Sequence, residues 1–182
     1  MDGLLSQSRV LNSSIFGAGS SVIKSVQRGQ GTFTGATNNI TITEIDLEKT
    51  ICRITYHLDQ VAAMTTLVSV ALTSTTNLRL ERTNGDSGTL TCSWEVIEFY
   101  NVKSLQTGTA TLTGTDTNIN VTITSVNLEK TFVFVSMRSS SNETNLNSAE
   151  YIAMLTSATN LYIDARTAQN SRYFEWQVIE FY

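Results

Sequence analysis

The chain has 182 residues, of which 41% are apolar and 15% are charged, and its formal net charge is -4. This composition excludes a disordered chain, and it disfavours a nucleic-acid partner, which needs a basic surface to displace counterions from phosphates. Proline is absent, while Thr, Ser and Asn alternate with Val, Ile and Leu. That alternation is typical of β-strands and predicts an all-β protein.

No run of 18 apolar residues predicts a membrane helix, and the first twenty residues lack the basic start of a signal peptide. We therefore expect no membrane partner and synthesis in the cytoplasm. Two cysteines, Cys52 and Cys92, align with Val133 and Phe174 in the internal repeat described below. Because neither counterpart is a cysteine, we expect two buried, unpaired thiols.

Residues 1–21 have no counterpart elsewhere in the chain and no sustained hydrophobic period, so they are predicted to form an extended N-terminal arm. Two alternatives are open: a floppy terminus, or a segment that becomes ordered on a neighbouring subunit. The second makes four apolar side chains candidate partner contacts: Val10, Leu11, Ile15 and Phe16.

The rest of the chain is one unit repeated. Its closing stretch, SWEVIEFY at Ser93–Tyr100, returns as EWQVIEFY at Glu175–Tyr182, and its opening SVQRG at Ser25–Gly29 returns as SLQTG at Ser104–Gly108. No linker separates the copies. The repeat predicts two abutting domains, 22–100 and 101–182.

Each copy contains five or six short alternating stretches separated by turn residues. The shared LTSTTNL at Leu72–Leu78 and LTSATNL at Leu155–Leu161 mark one such turn. Short strands with turns every eight to twelve residues predict an antiparallel β-sandwich, jelly-roll-like, in each module.

The closing strands are apolar on both faces, with Trp94 and Val96 on one face and Ile97 and Phe99 on the other. In the second copy, Phe132 and Phe134 also make apolar a strand face that is polar in the first copy. Such faces require cover from the first module, a symmetry mate or another protein. We therefore expect a homo-oligomer, with a trimer favoured. The candidate contacts are Ile97, Phe99, Phe132, Phe134, Ile179 and Phe181.

Residues for catalysis are scarce. The single histidine, His57, aligns with Arg138, and no nucleophile system, metal-ligand spacing or phosphate-binding loop is evident. Glu98 and Glu180 occupy the same place in both copies, and we expect them to accept structural hydrogen bonds at strand ends. We predict no enzyme activity, no metal and no cofactor. Three tyrosines are candidates for stacking on sugar rings: Tyr151, Tyr162 and Tyr173.

SVQRG, the Thr-rich strand, the LTSxTNL turn and the closing W-x-V-I-E-F-Y stretch together resemble a β-sandwich module of tailed-bacteriophage virion proteins, found in head-decoration, head-fibre and tail-fibre contexts. The sandwich with a Trp-containing last strand is also similar to H-type lectin-like trimers of phage fibres. The second copy departs from the pattern at Thr107, where the first has Arg28. The resemblance implies that Arg28 could contact a neighbouring subunit only from the first module.

The resemblance implies a non-enzymatic virion structural protein, assembled in the host cytoplasm, whose arm attaches to a capsid or tail protein. The alternative is a tail-fibre module that binds glycans on the host surface through the loops that differ between the copies, Asp59–Thr66 and Arg138–Ala149.

Overall fold

The computed structural model describes residues 22–58, 67–82, 89–140, 150–165 and 171–182. Twelve strands and one short 3-10 helix account for about three quarters of the described residues, and every strand pair is antiparallel. The predicted arm, residues 1–21, lies outside the described residues. No helix among the described residues is long and apolar enough to cross a membrane.

The first module consists of two three-stranded sheets, ordered β1-β6-β3 and β2-β5-β4. Its strands are β1 (Ile23–Phe33), β2 (Thr37–Thr41), β3 (Thr50–Leu58), β4 (Val68–Ser74), β5 (Asn77–Arg82) and β6 (Leu90–Phe99).

The second module repeats this plan with sheets β7-β12-β9 and β8-β11-β10. Its strands are β7 (Val102–Leu112), β8 (Asn118–Thr122), β9 (Thr131–Ser139), β10 (Tyr151–Ser157), β11 (Asn160–Ala165) and β12 (Arg172–Phe181), and the 3-10 helix Leu128–Lys130 precedes β9.

The strand order in each module is nested, since the first strand pairs with the sixth and the second with the fifth. This is the order of a long hairpin rolled into two layers, which is the principle of a jelly roll. The expectation of an all-β protein with two tandem antiparallel sandwiches is therefore confirmed, with six strands in each.

Each sandwich has its own hydrophobic core, built from the inward faces of both sheets. Trp94 and Val96 enter the first core, and Trp176 and Val178 enter the second at equivalent positions, as their alternation in the closing strand predicts. A glycine of the neighbouring strand lies beneath each indole: Gly29 beneath Trp94 and Gly108 beneath Trp176. A Cβ at either glycine would overlap the indole ring, so the absence of a side chain is a packing requirement.

The repeated glutamates are structural, as predicted. Glu98 accepts hydrogen bonds from Lys24 Nζ at 2.8 Å and from the Asp46 N–H at 3.1 Å. Glu180 does the same with Lys103 Nζ at 2.8 Å and the Asn127 N–H at 2.9 Å. Each carboxylate thereby ties the last strand of its module to the first strand and to the segment before the third.

The cysteines are free and buried, as expected. Cys52 lies opposite Val96 in the sheet, as Val133 lies opposite Val178 in the second module. Burial raises the pKa of the Cys52 thiol to about 12 and also raises that of Cys92. Both thiols act as small apolar core groups.

Candidate interaction site

The two modules meet at a joint that uses different surfaces of each. The first module contributes its open side, where the edge strands β3 and β4 lie next to each other. The second contributes the outer face of its β7-β12-β9 sheet. Edge strands expose unpaired backbone groups, which must be covered or hydrogen-bonded.

Gln177 of β12 satisfies the open edge of β3. Its Oε1 accepts a hydrogen bond from the Cys52 N–H at 2.8 Å, and its Nε2 donates to the Cys52 carbonyl at 2.8 Å. Gln177 and Cys52 are both buried. One side-chain amide therefore takes the place of a neighbouring strand at this point.

Ser136 of β9 does the same for β4. Its hydroxyl accepts from the Val70 N–H at 3.0 Å and is 3.4 Å from the Val70 carbonyl, to which it donates. The two edge strands on the open side of the first module, β3 and β4, are thus capped by side chains of the second. This blocks further strand addition at Cys52 and Val70.

Two ion pairs cross the joint. Arg79 Nη2 lies 3.2 Å from Glu175 Oε1, and Arg138 Nη2 lies 3.4 Å from Glu81 Oε1. Burial raises the pKa of the Glu175 carboxyl despite the opposing effect of Arg79. The charged form of Glu175 is therefore costly here, and the joint depends more on its hydrogen bonds and apolar contacts than on this pair.

Part of the joint is an apolar cluster to which both modules contribute. Its buried members are Ile51, Phe99, Val102 and Ile179, and partly buried neighbours pack against them: Ile97, Leu105, Phe134 and Phe181. Five of the six predicted oligomer contacts are therefore covered within one chain. The sequence left three possible sources of cover: the other module, a symmetry mate or another protein. In the structure, the other module covers these five residues. Their burial therefore no longer argues for a second subunit.

Phe132 is the sixth predicted contact, and it lies at the rim of the cluster with 39% of its surface exposed. Its ring stacks on Phe181 at 5.6 Å and meets Phe134 edge-on at 5.4 Å.

The strand register also corrects one expectation. Phe132 lies opposite Ile179 as Ile51 lies opposite Ile97, so Phe132 replaces an apolar residue, and only Phe134 replaces a charged one, Arg53.

Arg28, a predicted partner contact, lies on the outer face of the β1-β6-β3 sheet. Its Nε lies 2.6 Å from Glu95 Oε1, and Arg53 pairs with the other oxygen of the same carboxylate. The hydrogen bond from Arg28 is the main cause that lowers the pKa of Glu95. The equivalent positions in the second module are Thr107, Gln177 and Phe134, which are uncharged. The other predicted partner contacts, Val10, Leu11, Ile15 and Phe16, lie outside the described residues.

The candidate sugar-stacking tyrosines are engaged within the fold. The Tyr151 hydroxyl donates to the Val135 carbonyl at 2.6 Å, and its ring meets Phe174 edge-on. The Tyr173 ring lies under the Arg138 guanidinium at 4.3 Å. The Tyr162 hydroxyl lies 3.3 Å from Asp164. These contacts favour packing roles for all three side chains.

The second module has the same open side as the first, between β9 and β10. A groove of about 300 Å³ lies there, lined by Leu128, Thr131, Phe132, Val133, Ala153, Met154 and Leu155. These residues match, in order, Leu47, Thr50, Ile51, Cys52, Val70, Ala71 and Leu72, most of which line the joint cavity covered by the second module. Leu128, Phe132 and Met154 are exposed. The open groove is thus the counterpart of the occupied one.

Among the described residues, no group of three His, Cys, Asp or Glu side chains could hold a metal ion. His57 is an exposed strand residue on the outer face of the β1-β6-β3 sheet.

Sequence reasoning missed Gln177 and Ser136, which form the central hydrogen bonds of the joint. Differences between the copies did carry this information. Glu95 becomes Gln177 and Arg53 becomes Phe134, so the centre of one outer face loses an acid and a base that its counterpart keeps. Such a change marks the face that is covered.

Comparison with protein-family models finds no match to this chain, and neither the curated proteins nor the solved structures give a match. The likeness to tailed-phage virion modules therefore rests on the sequence motifs alone.

Proposed function

We propose that the protein is a non-enzymatic structural component of a tailed-phage virion. Its arm attaches to a capsid or tail protein, and its two modules project from the particle or take part in lattice contacts. The observation that carries this proposal is the joint, in which Gln177 and Ser136 cap the edge strands β3 and β4 of the first module. Two modules fixed in this way form a rigid spacer, which suits a decorating or fibre protein.

The use of the repeated polar residues also supports the proposal. Glu98 and Glu180 bind a lysine and a backbone N–H each, which leaves neither poised for acid-base chemistry. Gln27 and Gln106 likewise clamp the backbone of Thr43 and Thr124. The groups duplicated with the fold maintain the fold.

The attachment role is tested by incorporation of the chain into particles. In a complementation assay, a chain lacking residues 1–21, or one with Val10, Leu11, Ile15 and Phe16 all changed to Ser, is expected to be absent from purified virions. The matched control changes the polar arm residues Asn12, Ser13 and Ser14 to Ala and should be incorporated normally. Incorporation of the truncated chain would refute attachment through the arm.

Glycan binding is the competing function, because the copies differ most in the stretches 59–66 and 138–149. Of these, Arg138 and Ser139 belong to β9, and residues 59–66 and 141–149 lie outside the described residues. A glycan array comparing the intact chain with a variant lacking residues 142–147 tests it. Binding that is lost with the loop would favour host recognition over a purely structural role. Absence of binding by the intact chain supports the structural proposal.

A further inference from the structure

The joint between the modules shows what the open side of this sandwich binds. In the first module, the β3–β4 side accepts the outer face of a sister sheet. The second module presents the equivalent β9–β10 side, with Phe132, Met154 and Ile152 exposed at 39%, 44% and 54%. The sheet face equivalent to the one already bound is the outer face of β1-β6-β3.

We propose that the β9–β10 groove of one chain binds the exposed part of the outer face of the β1-β6-β3 sheet of a second copy, so that the hydrogen-bonded part of the internal joint is repeated between chains. The apolar part is not repeated, because Ile97 and Phe99, the counterparts of Ile179 and Phe181, are already covered by the second module of their own chain. The contact is head to tail, because a different surface of each copy takes part. This inference rests on the internal repeat and is independent of the proposed virion role.

Position by position, several contacts of the internal joint have counterparts in this intermolecular one. Ser136, which caps Val70, corresponds to Thr55, so the Thr55 hydroxyl of the second copy would meet the backbone of Ala153. The Arg138–Glu81 pair corresponds to His57 of the second copy with Asp164. The hydroxyl is preserved, and the acidic residue again lies on the groove side.

Charge complements the same arrangement. The second copy contributes Arg28 and Arg53 around one carboxylate, Glu95, so that this part of its face has an excess positive charge. The groove side carries Glu150 and Asp164 beside the exposed Ile152. In this arrangement His57 faces Asp164, and the two arginines lie nearer the centre of the contact. Opposite net charge on the two surfaces favours one orientation over another and makes association sensitive to salt.

The intermolecular joint is weaker than the internal one. The Arg79–Glu175 ion pair has the uncharged counterparts Tyr162 and Ser93, and two replacements at the centre weaken it further. Glu95 stands where Gln177 stands, and a carboxylate accepts from a backbone N–H but donates nothing to a carbonyl. Arg53 stands where Phe134 stands, so its guanidinium would supply the donor to the Val133 carbonyl and lie against Phe132. The contact is therefore polar at its centre and reversible, which suits assembly at high local concentration.

The first test is the association state of the purified chain, measured by sedimentation equilibrium at increasing concentration. We expect self-association that weakens about tenfold in high salt, since screening reduces the attraction between the oppositely charged surfaces. Met154→Glu should abolish it. Thr37→Glu adds the same charge to an exposed position of the other sheet of the first module and should leave association unchanged. A chain that stays monomeric throughout overturns the proposal.

The second test fixes the orientation. Ala71 and Glu175 line the same cavity in the internal joint, so Met154→Cys and Ser93→Cys mark the equivalent pair between chains. A short thiol cross-linker should join the two single variants to each other when mixed, and neither to itself. Cross-linking of Met154→Cys with itself would indicate a two-fold contact and overturn the head-to-tail arrangement. The native thiols are buried and give little background.

A charge swap distinguishes a specific contact from non-specific association. His57→Glu should weaken association because it faces Asp164, and adding Asp164→Lys should restore it. Restoration supports the proposed pairing, whereas a double variant that is no better than His57→Glu contradicts it. Thermal unfolding of each variant separates loss of association from loss of folding.

Discussion

Gln177 of the second module holds both backbone groups of Cys52 in the first, with N···O distances of 2.8 Å in each direction. The two residues are 125 positions apart, and both are buried. The contact replaces a missing strand partner with a single amide side chain. It links the two halves of the molecule through two hydrogen bonds at one residue.

Removing this amide should destabilise the chain. Gln177→Ala leaves the Cys52 N–H and carbonyl unpaired in a buried place, which costs about 3 kcal/mol of the free energy of unfolding. Gln30→Ala, an exposed change on the equivalent sheet of the first module, should cost no more than about 0.5 kcal/mol. Urea unfolding followed by fluorescence measures both. Equal effects of the two substitutions would mean that the amide clamp contributes nothing specific.

The glycine beneath each tryptophan can be tested against a glycine in open space. Gly108→Ala places a methyl group against the Trp176 ring and should destabilise the second module by about 2 kcal/mol, the usual cost of overpacking. Gly114→Ala meets nothing within 4 Å and should be neutral or slightly stabilising. Thermal unfolding gives the stability, and near-ultraviolet circular dichroism reports the indole environment. An unaffected Gly108→Ala variant would contradict the packing described.

Glu180 should make the chain sensitive to acid. The hydrogen bond from Lys103 is the main cause that lowers the pKa of Glu180 below 4.5. A lowered carboxyl pKa gives stability that is present above the unfolded pKa and is lost as pH falls through the folded pKa. Glu180→Gln should therefore reduce the fall in urea midpoint below about pH 4.5.

The matched control for that experiment is Glu129→Gln, which changes an exposed glutamate of the 3-10 helix and should leave the acid profile unchanged. Asp46 and Glu95 also have lowered pKa values, but they are present in all three proteins. The difference between profiles thus isolates Glu180. Identical acid profiles for wild type and Glu180→Gln would disprove its contribution.

The two thiols should report opening of the first module. Because burial raises the pKa of Cys52 to about 12 and also that of Cys92, neither supplies much thiolate in the folded chain. We expect thiol reagents to label neither in native buffer and both in denaturant. The urea dependence of labelling should coincide with the fluorescence change, since the joint couples the modules. Rapid labelling under native conditions would contradict the burial.

Much of the fold could be predicted because the repeat shows each pattern twice. Alternation in the closing strand placed Trp94 and Val96 in the core and left Ile97 and Phe99 on the other face. Glu98 could be assigned a structural role from its position at the strand end. Strand-level periodicity suffices for such assignments, because it depends on local geometry.

The joint could not be predicted in the same way, because periodicity does not show how two sandwiches are oriented. The apolar outer faces indicated only that another surface must cover them. The sequence favoured a second subunit for this role, whereas in the structure the other module of the same chain fills it. Gln177 looks like an ordinary polar strand residue until the edge of β3 lies against it. Contacts between modules depend on edges that have no sequence pattern of their own.

The N–H of Tyr100 donates to the carbonyl of Val22 at 2.9 Å, so the first and last residues of the first module are neighbours. A unit whose ends meet can be copied in tandem without a spacer, since the new copy begins where the old one finishes. It can also be circularly permuted by joining its ends and opening a hairpin such as Thr75–Thr76. The nested strand order thus makes the module a unit that can be duplicated or inserted as a whole, and the 182-residue chain contains two such units in direct succession.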